Sequence, residues 1–213
     1  MTMAVFDLMT DPERQYIDQA WVFNDEYFTV DTAERALVDT WYEKNARNMI
    51  YALLGEEVIG FFNIIPLTEE CTRKFENNAV REEEIYAEDI LDPASMAYAQ
   101  SLYVAGIAVK NRHTLIGKQC VAALMYGLCN RLRVLYDPSF LKKIYVNPTT
   151  FDGNRFSRKP GLEPIRAAKR SLRAGNDIYG IGLSPKTFAS LREMEKRYER
   201  FVGNTRFDPR APE

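Results

Sequence analysis

The stretch from Ser101 to Arg133, SLYVAGIAVKNRHTLIGKQCVAALMYGLCNRLR, constrains the fold of this chain more than any other. The apolar run at 102–109 predicts a buried β-strand, the polar residues 110–114 predict a tight turn, and a predicted helix begins at Leu115. Apolar residues recur along this helix at helical spacing and predict one buried stripe. The predicted stripe consists of Val121, Leu124, Met125, Leu128 and Leu132.

A strand that turns sharply into a helix directs unpaired backbone N–H groups and the helix dipole at one point. This arrangement suits a phosphate or pyrophosphate group. Gly117 lies in the first helical turn and has no Cβ, which would let such a ligand approach closely. An ordinary strand–turn–helix unit with a glycine at its junction shows the same pattern, so these residues alone leave both interpretations open.

The segments around this unit resemble, in content and order, those of the GCN5-related N-acetyltransferase (GNAT) family. Ile107-Ala108-Val109 is similar to the end of the family's central strand. Residues 112–117 are similar to the loop that follows, whose backbone amides hold the pyrophosphate of acetyl-coenzyme A (acetyl-CoA). Only the first and last positions of this loop agree with the family, because His113 and Leu115 stand where glycines are usual.

Two further segments extend the resemblance over much of the chain. Residues 50–65 resemble the family's hairpin of second and third strands. Residues 156–165 resemble its Phe-Tyr-x-Lys-x-Gly-Phe segment, and a predicted strand at 143–146, followed by Asn147, precedes them as in the family. It is the order of these segments that supports the resemblance.

The resemblance implies an α/β (α+β) fold with a central, mixed, twisted sheet and helices on both faces. We expect one GNAT-like domain at 1–202, with an acidic insertion at 66–98 between the hairpin and the central strand, and a loose tail at 203–213. At 213 residues, 46% of them hydrophobic, the chain is long enough to bury one sizeable core.

Local patterns predict the remaining elements. A capping box at Asp31 predicts a helix start there, Gly55 a hairpin turn, Pro66-Leu67 the end of the hairpin, and Ser184-Pro185 the start of the last helix. The predicted strands outside the hairpin and the central unit lie at 4–8, 143–146 and 178–183. The predicted helices lie at 11–22, 31–44, 164–172 and 185–201, with one or two short ones within 68–98.

The resemblance implies an acetyl-CoA-dependent N-acetyltransferase that transfers acetyl directly to a primary amine of a small molecule or a protein. No cysteine falls at an expected nucleophile position, and no metal is predicted. Acetyl-CoA would contact the strand end, the loop, the first helical turn and three residues downstream. In full, these are Ile107, Ala108, Val109, Arg112, His113, Thr114, Leu115, Ile116, Gly117, Lys118, Asn147, Arg158 and Lys159.

The catalytic groups are predicted less directly. Many relatives protonate the leaving thiolate with a tyrosine where this chain has Ser157, a candidate acid that is weaker than tyrosine and has a shorter side chain. Tyr145 or Tyr103 could supply a phenol instead, solvent could supply the proton, or catalysis could be lost. Glu70 is a candidate general base, although it also fits a solvated acidic face. Gly106 predicts a bulge or tight packing in the central strand.

Composition and charge argue against several other classes of protein. A net charge of −2 argues against a dedicated duplex-DNA binder, but the basic segment 155–173 keeps a nucleic-acid substrate open. Three cysteines without metal-like spacing predict reduced thiols and a cytoplasmic location. No apolar run reaches membrane-spanning length, and the N-terminal sequence lacks the features of a secretion signal.

Two alternatives to the transferase follow from the resemblance. One is a degenerate member that binds coenzyme A or a partner without turnover. The other keeps the fold but changes the chemistry, as in acyl-homoserine-lactone synthesis or nucleic-acid base modification. The acidic stretch at 68–98 favours a cationic acceptor by steering it, and the sequence leaves a homodimer open.

Overall fold

A computed structural model describes residues 3–10, 14–27, 33–77, 80–146, 163–164 and 179–206. The predicted helix at 164–172 lies almost entirely outside these ranges. So do the last residues of the predicted tail and four predicted site residues, namely Asn147, Ser157, Arg158 and Lys159. Predictions on those residues stay predictions.

A mixed sheet of eight strands forms the centre of the molecule. Its spatial order is β6-β7-β5-β4-β3-β2-β1-β8, with parallel pairs β4–β5 and β1–β8 and antiparallel pairs elsewhere. The strands are β1 (Phe6–Met9), β2 (Met49–Leu54), β3 (Glu57–Leu67), β4 (Ser101–Val109), β5 (Lys143–Val146), β6 (Glu163–Pro164), β7 (Tyr179–Gly182) and β8 (Val202–Arg206). The predicted mixed central sheet is confirmed.

Helices cover both faces of this sheet, as predicted. One face packs against α4 and α5 through the largest apolar core. The other face carries two separate apolar clusters, which we call the α1 cluster, around Phe23 and Phe61, and the α3 cluster, around Phe75 and Tyr103. Within the described residues the helices are α1 (Arg14–Tyr27), α2 (Arg35–Lys44), α3 (Glu69–Glu76), α4 (Leu115–Leu135) and α5 (Pro185–Tyr198).

The β2–β3 hairpin turns at Gly55, whose φ of 66° suits glycine, as predicted. Its predicted end at Pro66-Leu67 is wrong, because β3 continues through both residues and pairs there with the start of β4. The carbonyl of Pro66 accepts a hydrogen bond from the N–H of Leu91 (2.9 Å). The acidic insertion therefore begins after Leu67 and contains α3 and three short 3₁₀ turns.

Two predicted boundaries need correction at the chain's beginning and end. Helix α2 begins at Arg35 rather than at Asp31, and its N-cap is Glu34, whose side chain makes no capping hydrogen bond. The first four residues of the tail predicted to be loose, 203–206, instead belong to β8, which pairs in parallel with β1. The predicted start of α5 is confirmed, since the Ser184 hydroxyl accepts a hydrogen bond from the N–H of Thr187.

The buried face of α4 differs from the predicted stripe. Val121 is 41% exposed, whereas the helix buries a row of small residues that let it approach the sheet closely. A Cβ built on Gly60 of β3 would lie 2.9 Å from the Sγ of Cys120. The small residues of this row are Gly117, Cys120, Ala123 and Gly127. Apolar periodicity missed them because it gives little weight to glycine and cysteine.

All three cysteines, Cys71, Cys120 and Cys129, are buried and free. None of the helices within the described ranges combines the length and the apolar character that crossing a bilayer requires.

Two glycines on neighbouring strands offer a matched test of this packing. A Cβ at Gly60 would lie 2.9 Å from the carbonyl oxygen of Ala108 and from Cys120, whereas a Cβ at Gly106 would meet only Phe61, at 3.5 Å. We expect Gly60→Ala to lower the free energy of unfolding by about 1–3 kcal/mol and Gly106→Ala to change it by less than about 1 kcal/mol. Urea denaturation followed by circular dichroism measures both, and equal losses would contradict the packing described.

Candidate functional site

The central strand β4 changes register in its middle. On β3, Asn63 and Ile64 are adjacent, but their partners on β4 are Gly106 and Val104, so Ala105 is an extra residue and forms a β-bulge. The bulge predicted from Gly106 is confirmed. Because a bulge bends its strand and increases the local twist, it redirects the second half of β4.

The second half of β4 is the accessible part of the strand. The described residues of β5, Lys143–Val146, pair in parallel with Ser101–Val104 of β4. Beyond this pairing Ala105, Gly106 and Ile107 are partly exposed, although β4 lies in the middle of the sheet. We call residues 105–109 the open half of β4.

The open half of β4 leads through a short turn to the N-terminus of α4. Thr114 is the N-cap, and its hydroxyl accepts a hydrogen bond from the N–H of Gly117 (3.1 Å). The amides of Leu115 and Ile116 occupy the first two helical positions, and neither has a hydrogen-bond partner within the described ranges. These two amides and the dipole of the 21-residue helix favour the binding of an anion at this corner.

Gly117 has a different role from the predicted one. A Cβ on it would lie 2.4 Å from the carbonyl oxygen of Asn111 and 2.6 Å from the Cα of Arg112. The space beside this glycine is thus filled by the loop's own backbone, not left open for a ligand. Gly117 is required by the tight turn, which also places Asn111 in the left-handed region with φ at 49°.

The side chains of the turn leave this corner uncovered. His113, Leu115 and Ile116 are all exposed, Leu115 by 44%. The Nε of Arg112 donates a hydrogen bond to the Nε2 of His113 (3.3 Å), so the two side chains predicted to bind phosphate lie together.

The end of α1 fixes the turn in place. The hydroxyl of Tyr27 accepts a hydrogen bond from the N–H of Asn111 (3.2 Å), and the Arg112 guanidinium lies 6.0 Å from the centre of the Tyr27 ring. The Lys110 ammonium lies 5.2 Å from the centre of the Phe23 ring. Sequence reasoning missed Tyr27 because its contact with the turn spans 84 positions of the chain.

The paired half of β4 and β5 carries two tyrosines on the face that α3 covers. Tyr103 and Tyr145 are register partners, both are buried, and the ring of Phe75 lies between 5 and 6 Å from each. The Tyr103 hydroxyl donates a hydrogen bond to Glu82, and the Tyr145 hydroxyl donates one to Glu76 (2.5 Å). Both phenols are therefore already bound to carboxylates.

These contacts shift the pKa values of the groups involved. Hydrogen bonds from Lys143 and from Tyr145 lower the pKa of the Glu76 carboxyl. Burial, and then the neighbouring Glu76, raise the pKa of the Tyr145 phenol. Tyr145, the predicted acid, is thus a weaker acid than an ordinary tyrosine.

Glu70, the predicted base, lies on the outer side of α3. Its side chain is 64% exposed and pairs with Lys74 one turn along the helix (3.0 Å), which lowers the pKa of its carboxyl. The structure brings Tyr145 together with Glu76 rather than with Glu70. Glu76 reaches Tyr145 because α3 packs against β4 and β5, so the sequence alone could not identify Glu76 as the partner of this tyrosine.

No family model matches the sequence, and no curated protein matches it either. Solved structures do match over most of the chain. Ard1 from Thermoplasma volcanium has a TM-score of 0.53 at 11% identity, covering 85% of this chain and 99% of its own. A Corynebacterium glutamicum protein described as histone acetyltransferase HPA2 and related acetyltransferase has a TM-score of 0.52 at 13% identity, covering 85% and 98%.

A third match is an agmatine N-acetyltransferase mutant in its apo form, with a TM-score of 0.50 at 12% identity, covering 83% of this chain and 99% of that one. The chain has the GNAT fold. At these identities the likeness establishes the architecture of a GNAT protein and leaves the activity to be argued from the site.

The Glu76 contacts predict a pH-dependent stability. The pKa of the Glu76 carboxyl is lowered in the folded state. The ionised carboxylate therefore adds to the free energy of unfolding above pH 4.5, its ordinary pKa, and this stabilisation is lost as the pH falls through the lowered pKa. We expect Glu76→Gln to lower the free energy of unfolding at pH 7 by no more than about 1 kcal/mol, since both partners are partly exposed. The difference from the wild type should shrink at pH 3.

Urea denaturation at the two pH values measures this difference. Glu70→Gln is the matched control, and it should have the smaller effect because solvent screens the Glu70–Lys74 pair. A Glu76→Gln deficit that is the same at pH 7 and pH 3 would show that the charge of Glu76 has no part in it.

Proposed function

We propose that this protein is an acetyl-CoA-dependent N-acetyltransferase that transfers an acetyl group directly to a primary amine of a small molecule or a protein. The observation that carries the proposal is the register break in β4 at Ala105, beyond which the strand is partly exposed and leads to the N-terminus of α4. An extended chain that ends in a diphosphate fits such a site: its thioester end lies along β4 and its diphosphate at the helix.

The diphosphate is bound by the amides of Leu115 and Ile116 and by the helix dipole. Arg112 and Lys118 add positive charge beside the first turn, and both are exposed and can reach an anion. Bound there, acetyl-CoA places its thioester carbonyl against the open half of β4. A backbone N–H near 107–109 then polarises that carbonyl.

The transfer itself needs no covalent enzyme intermediate. The neutral amine attacks the carbonyl carbon, a C–N bond forms, the C–S bond breaks, and the proton lost from nitrogen balances the one gained by the thiolate. Since the Tyr145 proton is engaged by Glu76 and its phenol is a weakened acid, we assign protonation of the thiolate to solvent. The predicted role of Ser157 stays a prediction.

A cationic acceptor suits the surface beside the site. The insertion at 68–98 holds nine acidic residues against three basic ones. They are Glu69, Glu70, Glu76, Glu82, Glu83, Glu84, Glu88, Asp89 and Asp92, against Arg73, Lys74 and Arg81. Such an excess raises the local concentration of ammonium groups.

One observation favours a second candidate, a protein that binds coenzyme A without turnover. The phenols predicted as acids, Tyr103 and Tyr145, both donate to carboxylates, and neither is left to protonate a thiolate. Two measurements separate the candidates. Stabilisation by acetyl-CoA, about 2.7 kcal/mol at one hundred times its dissociation constant, is expected of both. Thiol release in the presence of amines is expected of the enzyme alone.

A single backbone substitution tests the diphosphate site. Leu115 is the first helical residue, a position that accepts proline. Thr114 has the extended conformation (φ −76°, ψ 168°) that a residue before proline requires, so the backbone tolerates Leu115→Pro. This variant removes one N–H and should weaken acetyl-CoA binding about tenfold to one hundredfold, because a hydrogen bond to a charged group is lost. The control is Leu115→Ala, which keeps the N–H.

Isothermal titration with acetyl-CoA measures both dissociation constants, and circular dichroism verifies that both variants keep the helix. Equal affinity of Leu115→Pro and Leu115→Ala would place the diphosphate elsewhere.

A further inference from the structure

Asn63 is a buried polar residue whose side-chain oxygen makes no hydrogen bond within the described part of the fold. It lies on β3, it is 5% exposed, and its Oδ1 is buried without a hydrogen-bond partner in the part of the chain that the structure describes. A buried carbonyl oxygen without a partner destabilises a protein relative to an apolar side chain of the same size. A ligand that donates a hydrogen bond would remove this cost.

The position of Asn63 is next to the break in β4. Its register partner on β4 is Gly106, the residue that follows the extra Ala105. Its neighbours at alternate positions, Phe61 and Ile65, belong to the α1 cluster and the α3 cluster, while Ile64 belongs to the opposite face. Asn63 therefore points to the face covered by α1 and α3, at the boundary between the two clusters.

Gly106 leaves room beside this amide. A Cβ at Gly106 would meet no atom closer than the Cε2 of Phe61, at 3.5 Å. Because Gly106 has no side chain, the space between Asn63 and the open half of β4 is not filled from the β4 side. That half of β4 is where the proposed function places the thioester.

Four other buried side-chain oxygens lack a partner in the described ranges. They are the hydroxyls of Tyr51 and Tyr136 and the Oδ1 atoms of Asp39 and Asn48. β3 separates Tyr51 from β4, and the other carboxylate oxygen of Asp39 already pairs with Arg14 (2.6 Å). Asn63 alone of the five is the register partner of a residue at the break.

We propose that Asn63 binds the acceptor amine, its Oδ1 accepting a hydrogen bond from the attacking nitrogen and directing the nitrogen lone pair at the thioester carbonyl. The inference rests on the proposed function and adds its acceptor-binding residue. The amide is neutral and takes no proton; as the C–N bond forms and the C–S bond breaks, the proton leaves to water and the thiolate gains one. Because Asn63 is buried and its neighbours Phe61, Ile65 and Met49 are apolar, we take the acceptor to be an unbranched primary amine.

The test compares the wild type with Asn63→Leu, in which an apolar side chain of similar size replaces the amide. Acetyl-CoA turnover is followed by thiol release with three probes: n-butylamine, 1,4-diaminobutane and glycinamide. We expect kcat/KM for the amine to fall about tenfold to one hundredfold, as for the loss of one hydrogen bond to the reacting group. The dissociation constant of acetyl-CoA should not change, and the melting temperature should stay the same or rise.

Asn48→Leu is the matched control. Asn48 is also buried, and its Oδ1 also lacks a partner in the described part of the chain, but it precedes β2, where its Nδ2 donates to the carbonyl of Trp41 (3.3 Å). Its replacement should lower the melting temperature and leave kcat/KM for the amine unchanged.

The possible outcomes distinguish the role of Asn63 from the proposed acetyltransferase function. Undiminished kcat/KM in Asn63→Leu overturns the role of Asn63 and leaves the proposed function standing. A melting temperature that falls as far as in Asn48→Leu makes Asn63 a structural residue and overturns the inference too. Absence of thiol release by the wild type with all three probes, despite acetyl-CoA binding, overturns the proposed function and this inference with it.

Discussion

The structure depends on the register break in β4. A strand in the middle of an eight-stranded sheet normally has both edges satisfied by neighbours. The extra residue Ala105 bends β4 and increases its twist, and residues 105–107 are partly exposed in the middle of the sheet. The sheet can tolerate this because β4 stays paired with β3 from Ser101 to Val109, with Ala105 as the one residue outside the register.

The two halves of β4 consequently have different roles. In the paired half, Tyr103 and Tyr145 pack against Phe75, and their hydroxyls are held by carboxylates of the acidic insertion. In the open half the strand runs into a turn that Tyr27 and Gly117 hold in shape, and the turn ends at two helical amides without partners in the described ranges. The paired half of β4 thus holds the strand in place, and the open half is left for the cofactor that we propose.

Local sequence patterns predicted the elements that local chemistry determines. Strand β5 at Lys143–Val146, the Gly55 turn and the Ser184 cap are confirmed. The pairing of β8 with β1 was missed because its partners lie almost two hundred positions apart. The same holds for the site: the turn and helix start were predictable, whereas Glu76 and Asn63 gain their surroundings only from packing between distant segments.

A crystal structure of the protein with acetyl-CoA would show directly where the cofactor binds. We expect diphosphate oxygens within hydrogen-bonding distance of the Leu115 and Ile116 amides, and the thioester carbonyl against β4 between Ala105 and Val109. Acetyl-CoA bound away from α4, or a β4 edge closed by another strand beyond Val104, would contradict it.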